Sequence, residues 1–271
     1  MQRLAFTLRR NIAVFILLLF CISAAKYPRR LYDQPVQAFS FGFCPESPAE
    51  SAYAPANLQN PTDCLPAADV LLRETQHGGA EYLNKIIFIG DSRTYGLQHF
   101  AMLEGGAETT QVWTPKGRTM SVWDMQNQRI LYPDTGAEMT CAEAAALKQP
   151  EIILISLGFN GVEIVEKSYF VSEYVKLVTS IQNASPQTKI ILQSMFPVCR
   201  TYKSASNAAI REGNKWIIET AKHCGVKYLN TEEALTDDEG YLKEEYASDG
   251  CHLTPLGLDV ELNYICTHKF E

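Results

Sequence analysis

The sequence predicts an α/β protein built on a parallel sheet of about five strands with helices on both faces. Two observations point there. Apolar runs rich in β-branched residues occupy 86–89, 152–157, 190–195 and 226–229, and they are too continuous for a sheet with one wet face. Amphipathic stretches at 94–104, 162–181, 205–224 and 255–268 alternate with them, as the crossovers of a parallel sheet require. A further short strand near 111–114 makes five.

In chain order, the first residues stand apart from this pattern. Arg3, Arg9 and Arg10 precede an apolar run from 12 to 20, and Ser23-Ala24-Ala25 follows. A basic start, a short apolar run and small residues describe an export signal over 1–25. The run falls short of the roughly 20 apolar residues of a spanning helix, although Lys26, Arg29 and Arg30 leave an uncleaved membrane anchor open. Cys21 is a poor lipid-attachment site because bulky Phe20 precedes it. Residues 26–83 carry seven prolines and little periodicity, which breaks helices and ladders alike. They read as a Pro-rich peripheral segment with a short helix around 67–74. The domain proper is expected over 84–271.

A net charge of −7, with both signs interspersed beyond the N-terminus, excludes a nucleic-acid partner, because phosphate binding needs a basic face. Export would place the seven cysteines beyond Cys21 in an oxidising compartment. Cys44, Cys64, Cys141, Cys199, Cys224, Cys251 and Cys266 can then form up to three disulfides. Cys44–Cys64 would close the peripheral segment. Cys199–Cys251 would join the loops after the 190–195 strand and before the last helix. The paired CxxC spacing of a zinc site is missing, and nothing requires a metal or an organic cofactor.

Sites in parallel sheets gather beyond the carboxyl ends of the strands. Ser92 stands there, in Gly90-Asp91-Ser92 after the first strand. A serine hydroxyl becomes nucleophilic only when a base removes its proton, and the base needs an acid to orient it. Of five histidines, only His252 has a carboxylate at short spacing in a loop, Asp249, just ahead of the helix start Thr254-Pro255. Acyl chemistry also needs oxyanion donors. The backbone N–H of Ser92, the backbone N–H of Gly117 and the side chain of Asn160 are the candidates. Trp113, Trp123 and Tyr132 fall in or after the second strand, where packing in the core is the favoured role over stacking on a sugar ring.

Gly90-Asp91-Ser92, a lone glycine after the second strand, Gly158-x-Asn160 after the third, and Asp249-x-x-His252 before the last helix together resemble the SGNH (GDSL-type) hydrolases. The four blocks stand in family order from about residue 85 to the C-terminus. The resemblance implies a flavodoxin-like three-layer α/β/α fold and ester hydrolysis through an acyl-enzyme. It makes Ser92 the nucleophile, His252 the base, Asp249 its orienting acid, and Ser92, Gly117 and Asn160 the oxyanion hole. The α/β-hydrolase elbow is not matched, since Thr94 stands where that motif needs Gly. Two positions depart from the family: Arg93 replaces the usual leucine and is expected to sit solvated at the helix start, and Gly161 replaces the usual Asp after the asparagine.

These readings add up to an exported or surface-anchored serine esterase. Its expected substrate is a small-molecule or glycan ester, with small acyl groups on a carbohydrate or cell-wall polymer foremost. A carbohydrate O-acyltransferase would use the same triad, and a non-catalytic glycan-binding or envelope-assembly module could share the fold.

Overall fold

The computed structural model describes residues 69–271, which lie within one unit, residues 60–271. The segment 1–25, the residues up to 68, and Cys21, Cys44 and Cys64 lie outside the described residues. Among the described residues no helix is long and apolar enough to cross a membrane.

Strands β1 (Ile86–Gly90), β2 (Val112–Trp113), β5 (Ile152–Ser156), β6 (Lys189–Gln193) and β7 (Lys227–Leu229) form a sheet in the order β2-β1-β5-β6-β7. Every pairing is parallel, with Phe88 opposite Val112 on one side and Leu154 on the other. The chain leaves β1 toward β2 and returns to β5 on the opposite side. The topological switch therefore lies at the carboxyl ends of β1 and β5, where open α/β sheets place their ligands.

Side chains alternate across the sheet and divide the interior into two clusters. Ile87, Ile89, Ile153 and Ile155 face α3 (Cys141–Lys148), α4 (Lys167–Ala184) and α5 (Asn207–Cys224). Ile86, Phe88, Ile152 and Leu154 face α1 (Gly79–Leu83), α2 (Ser92–His99), α6 (Glu232–Leu235) and α7 (Pro255–Thr267). The result is three layers. Helix α4 shows how the pattern works: Phe170, Tyr174, Leu177, Val178 and Ile181 recur on one helical face and are fully buried. Emptying one such position, as in Phe170→Ala, would cost about 3–5 kcal/mol.

Four features depart from the sequence reading. Of the helix expected around 67–74, residues 67 and 68 lie outside the described residues, Asp69 is in a 3₁₀ turn, and no helix continues beyond it. Instead Leu71 bridges Tyr228 in parallel, and Leu72 N–H donates to the Tyr228 carbonyl at 2.8 Å, which extends the sheet beyond β7. Residues 70–83 are integral to the fold, since Leu72 and Tyr82 join a core cluster. A hairpin, β3 (Arg129–Tyr132) with β4 (Ala137–Thr140), and α3 after it occupy the long connection from β2 to β5. Finally, α2 stops at His99 because Ala101 turns left-handed at φ 55°.

Candidate active site

Ser92 is the first residue of α2, directly after β1. Gly90 is required at this junction: a Cβ there would lie 1.9 Å from Thr94 Oγ1 and 2.9 Å from the Ser156 carbonyl. Asp91 caps the helix, its Oδ1 accepting the Arg93 N–H at 2.9 Å. The N–H groups of a helix's first turn have no partner within the helix, so the Ser92 N–H is available to a ligand of suitable geometry.

The loop before α7 supplies the rest. Asp249 Oδ1 accepts the backbone N–H groups of Cys251 (3.0 Å) and His252 (2.9 Å), folding the segment back on itself. Gly250 makes the tight turn at φ +91°, and the Ser248 N–H donates to the His252 carbonyl at 2.9 Å. Thr254 caps α7 and Pro255 opens it. Asp249 Oδ2 then lies 2.8 Å from His252 Nδ1, and His252 Nε2 lies 2.9 Å from Ser92 Oγ. A carboxylate only accepts, so in the neutral imidazole the proton sits on Nδ1 and Nε2 is free to accept from the serine hydroxyl.

Burial opposes a charge on His252, but the hydrogen bonds and charges of Asp249 and Cys251 outweigh it and raise the pKa to about 9. Burial likewise works against the Asp249 carboxylate. The hydrogen bond and charge of His252, helped by the two backbone N–H groups, hold it well below the usual carboxylate range. The donor atoms of Asp249, Cys251 and His252 gather within 4.8 Å, the one such group of metal-ligating side chains among the described residues. Here they engage one another and Ser92.

Asn160 lies in the loop after β5. Its Nδ2 donates to Asp91 Oδ2 at 2.8 Å and to the Met120 carbonyl at 3.3 Å. The buried Asp91 thus performs the anchoring that the family's Asp after the asparagine would provide, through a residue to which the sequence alone assigned no role. Gly161 explains itself: at φ +133°, a Cβ would lie 2.4 Å from Val122 Cγ2 and 3.1 Å from the Trp123 ring. Gly117 sits in an exposed turn with open space around it. The Arg118 guanidinium stacks 3.8 Å over Tyr95, one turn beyond Ser92, so this turn borders the start of α2.

Three expectations are corrected. Arg93 is not solvated. It is buried, and its guanidinium donates to the carbonyls of Cys251, Phe196 and Pro197. The Cys199–Cys251 disulfide is absent, and Cys141, Cys199, Cys224, Cys251 and Cys266 are all free thiols. The two backbones do meet, with Cys199 N–H donating to the Gly250 carbonyl at 2.8 Å. The side chains pack in different clusters, Cys251 with its Sγ 3.3 Å from His252 Nδ1 and Cys199 among the residues around Phe196 and Leu253. Trp113 and Tyr132 are core residues in edge-to-face contact, as expected, whereas Trp123 is 38% exposed beside Gly161.

The model of the GDSL-like lipase/acylhydrolase family matches residues 88–260, which include every candidate residue above. No curated protein matches the chain. Similar solved structures include a GDSL-like lipase from Bacteroides thetaiotaomicron, with 16% identity over 67% of this chain and 86% of that one and a TM-score of 0.43. A lipopolysaccharide acetyltransferase periplasmic domain from Salmonella ser. Paratyphi A shares 19% identity over 71% and 83%, with a TM-score of 0.46. A carbohydrate esterase of family 3 from Talaromyces cellulolyticus shares 15% over 66% and 92%, with a TM-score of 0.41. With its family's glycine, serine, asparagine and histidine blocks all inside the matched span, the chain belongs to the GDSL-like lipases and acylhydrolases, enzymes that hydrolyse ester bonds.

Proposed function

We propose that this protein is an exported serine esterase that removes O-acetyl or similarly small acyl groups from a carbohydrate or cell-wall polymer, through an acyl-enzyme on Ser92. The observation that carries the reading is the continuous hydrogen-bonded path Ser92 Oγ–His252–Asp249. In the first half-reaction Ser92 Oγ bonds to the ester carbonyl carbon and its proton passes to His252 Nε2. The carbonyl electron pair moves onto oxygen, where the Ser92 N–H, the Gly117 N–H and Asn160 Nδ2 would receive it. Collapse breaks the bond to the alcohol, which leaves with the proton from His252. Water repeats the sequence and releases the acid. Asn160 would exchange its longer bond, to Met120, for the oxyanion and keep its bond to Asp91.

The exposed Trp123 supports a sugar as the alcohol, because an aromatic face beside the oxyanion loop offers a stacking surface for a ring. The basic and apolar start of the chain supports export. The test is labelling by a fluorophosphonate followed by a panel of acetylated glycans and short nitrophenyl esters, with and without added glycan acceptor. Labelling lost in Ser92→Ala, with acetate released from glycans, is the expected result. An unlabelled wild-type protein would favour a non-catalytic module, and acyl transfer outrunning hydrolysis would favour a transferase. Trp123→Ala should raise KM for glycan esters and leave nitrophenyl acetate nearly unaffected. N-terminal sequencing of exported material should begin at Lys26, and an intact membrane-bound form would favour the anchor.

A further inference from the structure

We infer that Arg93, the residue after the nucleophile, is a positioning residue that clamps the acid–base loop onto the first turn of α2; the inference rests on Ser92 being the nucleophile. A buried guanidinium is expensive unless its donors are paired, and this one is 6% exposed. Nε donates to the Cys251 carbonyl at 3.0 Å, and Nη2 donates to the carbonyls of Phe196 (2.9 Å) and Pro197 (3.2 Å). The guanidinium carbon stands 3.5 Å from the Phe196 ring centroid and 4.2 Å from that of Phe159. One side chain therefore joins the loops after β5 and β6 to the loop before α7.

The Cys251 bond is the informative one. The Cys251 carbonyl and the His252 N–H belong to the same peptide group. Its oxygen is held by Arg93 Nε and its N–H by Asp249 Oδ1. The backbone from which the imidazole hangs is thus pinned from both sides, once from within its own loop and once from the helix that carries Ser92. Because Arg93 adjoins Ser92, the same contact sets the distance between nucleophile and base. Burial pushes the Arg93 pKa down to about 10, against the opposing charge of Asp91, so the group stays charged across the neutral range.

The planar fork is needed for donors aimed at separate carbonyls. A lysine supplies charge without that geometry, and a leucine, the usual residue of the resembled family here, supplies neither. A misplacement of about 1 Å in catalytic groups costs up to roughly 10²-fold.

The experiment is the rate and the endpoint of Ser92 phosphonylation by a fluorophosphonate in wild type, Arg93→Lys and Arg93→Leu, alongside kcat and KM on nitrophenyl acetate. In that reaction the Ser92 Oγ–P bond forms, P–F breaks, and the serine proton goes to His252. The endpoint counts folded sites, so a slower rate at full stoichiometry separates misplacement from unfolding. The expected result is labelling and kcat lowered about 10–10²-fold in both variants, with KM within about twofold and full endpoints. If Arg93→Leu does not fold, Arg93→Lys and Phe159→Leu, which opens one side of the clamp, decide the matter on the same readout. Wild-type rates in the folded variants would overturn the inference while leaving Ser92 as nucleophile. An unlabelled wild-type protein would overturn both.

Discussion

Asn160 Nδ2 lies 2.8 Å from Asp91 Oδ2, so the residue that caps the helix of Ser92 also aims the side chain proposed to bind the oxyanion. Asp91 is buried, and burial raises its pKa while the N–H and charge of Arg93 pull the other way.

Asn160→Ala should lower turnover by roughly 10²–10³-fold, the usual loss for one oxyanion donor. Asp91→Asn keeps a good helix cap but sets an amide N–H against either the Arg93 N–H or Asn160 Nδ2. A smaller loss, with kcat reduced more than KM changes, is expected. Steady-state kinetics on nitrophenyl acetate check both, and unchanged turnover in Asn160→Ala would remove it from the oxyanion hole.

Ser92→Ala and His252→Ala should each lose about 10⁴–10⁶ in turnover with the fold retained, and Asp249→Ala somewhat less. Circular dichroism and turnover on the same samples provide the check. Activity near wild type in Ser92→Ala would end the assignment.

The pH profile follows from His252. The base must be neutral to accept the serine proton, and its pKa is raised to about 9, so kcat/KM should climb through the neutral range and level off only in alkaline solution. The stability from the protonated His252–Asp249 pair runs the other way: it is fully present below the ordinary histidine pKa and is lost as pH rises through about 9. Asp249→Asn removes the charge that holds the imidazolium, so its kinetic limb should move to lower pH even as the rate falls. A wild-type plateau already complete below pH 6 would contradict this.

Gly161→Asp would restore the family's usual residue, yet it should impair this protein. The backbone sits at φ +133° and a Cβ would lie 2.4 Å from Val122 Cγ2. The cost should be of order 1–3 kcal/mol, with turnover falling as Asn160 shifts. Urea denaturation measures the first and turnover the second, and wild-type values for both would refute the reading.

Much of the fold and the acid–base pair was legible because the information is local. Continuous apolar runs mark strands buried on both faces, and β1, β5, β6 and β7 lie where those runs are, with β2 at the short strand expected near 111–114. Asp249 and His252 stand three residues apart in one loop, so spacing alone suggests their contact. The β3–β4 hairpin was not legible: its strands have four residues each and are partly exposed, too short and wet for a periodic signal.

The sequence by itself determined the parallel sheet, the serine at the end of its first strand and the Asp-His loop, since each follows from residues close together in the chain. The tertiary structure alone decided that Arg93 is buried, that Asp91 anchors Asn160 across 69 residues of sequence, and that Cys199 and Cys251 pack in different core clusters. Those outcomes depend on which loops the crossover helices bring together at the sheet's carboxyl edge. A residue's burial and partners there are set by segments far away in the chain, and no local period records them.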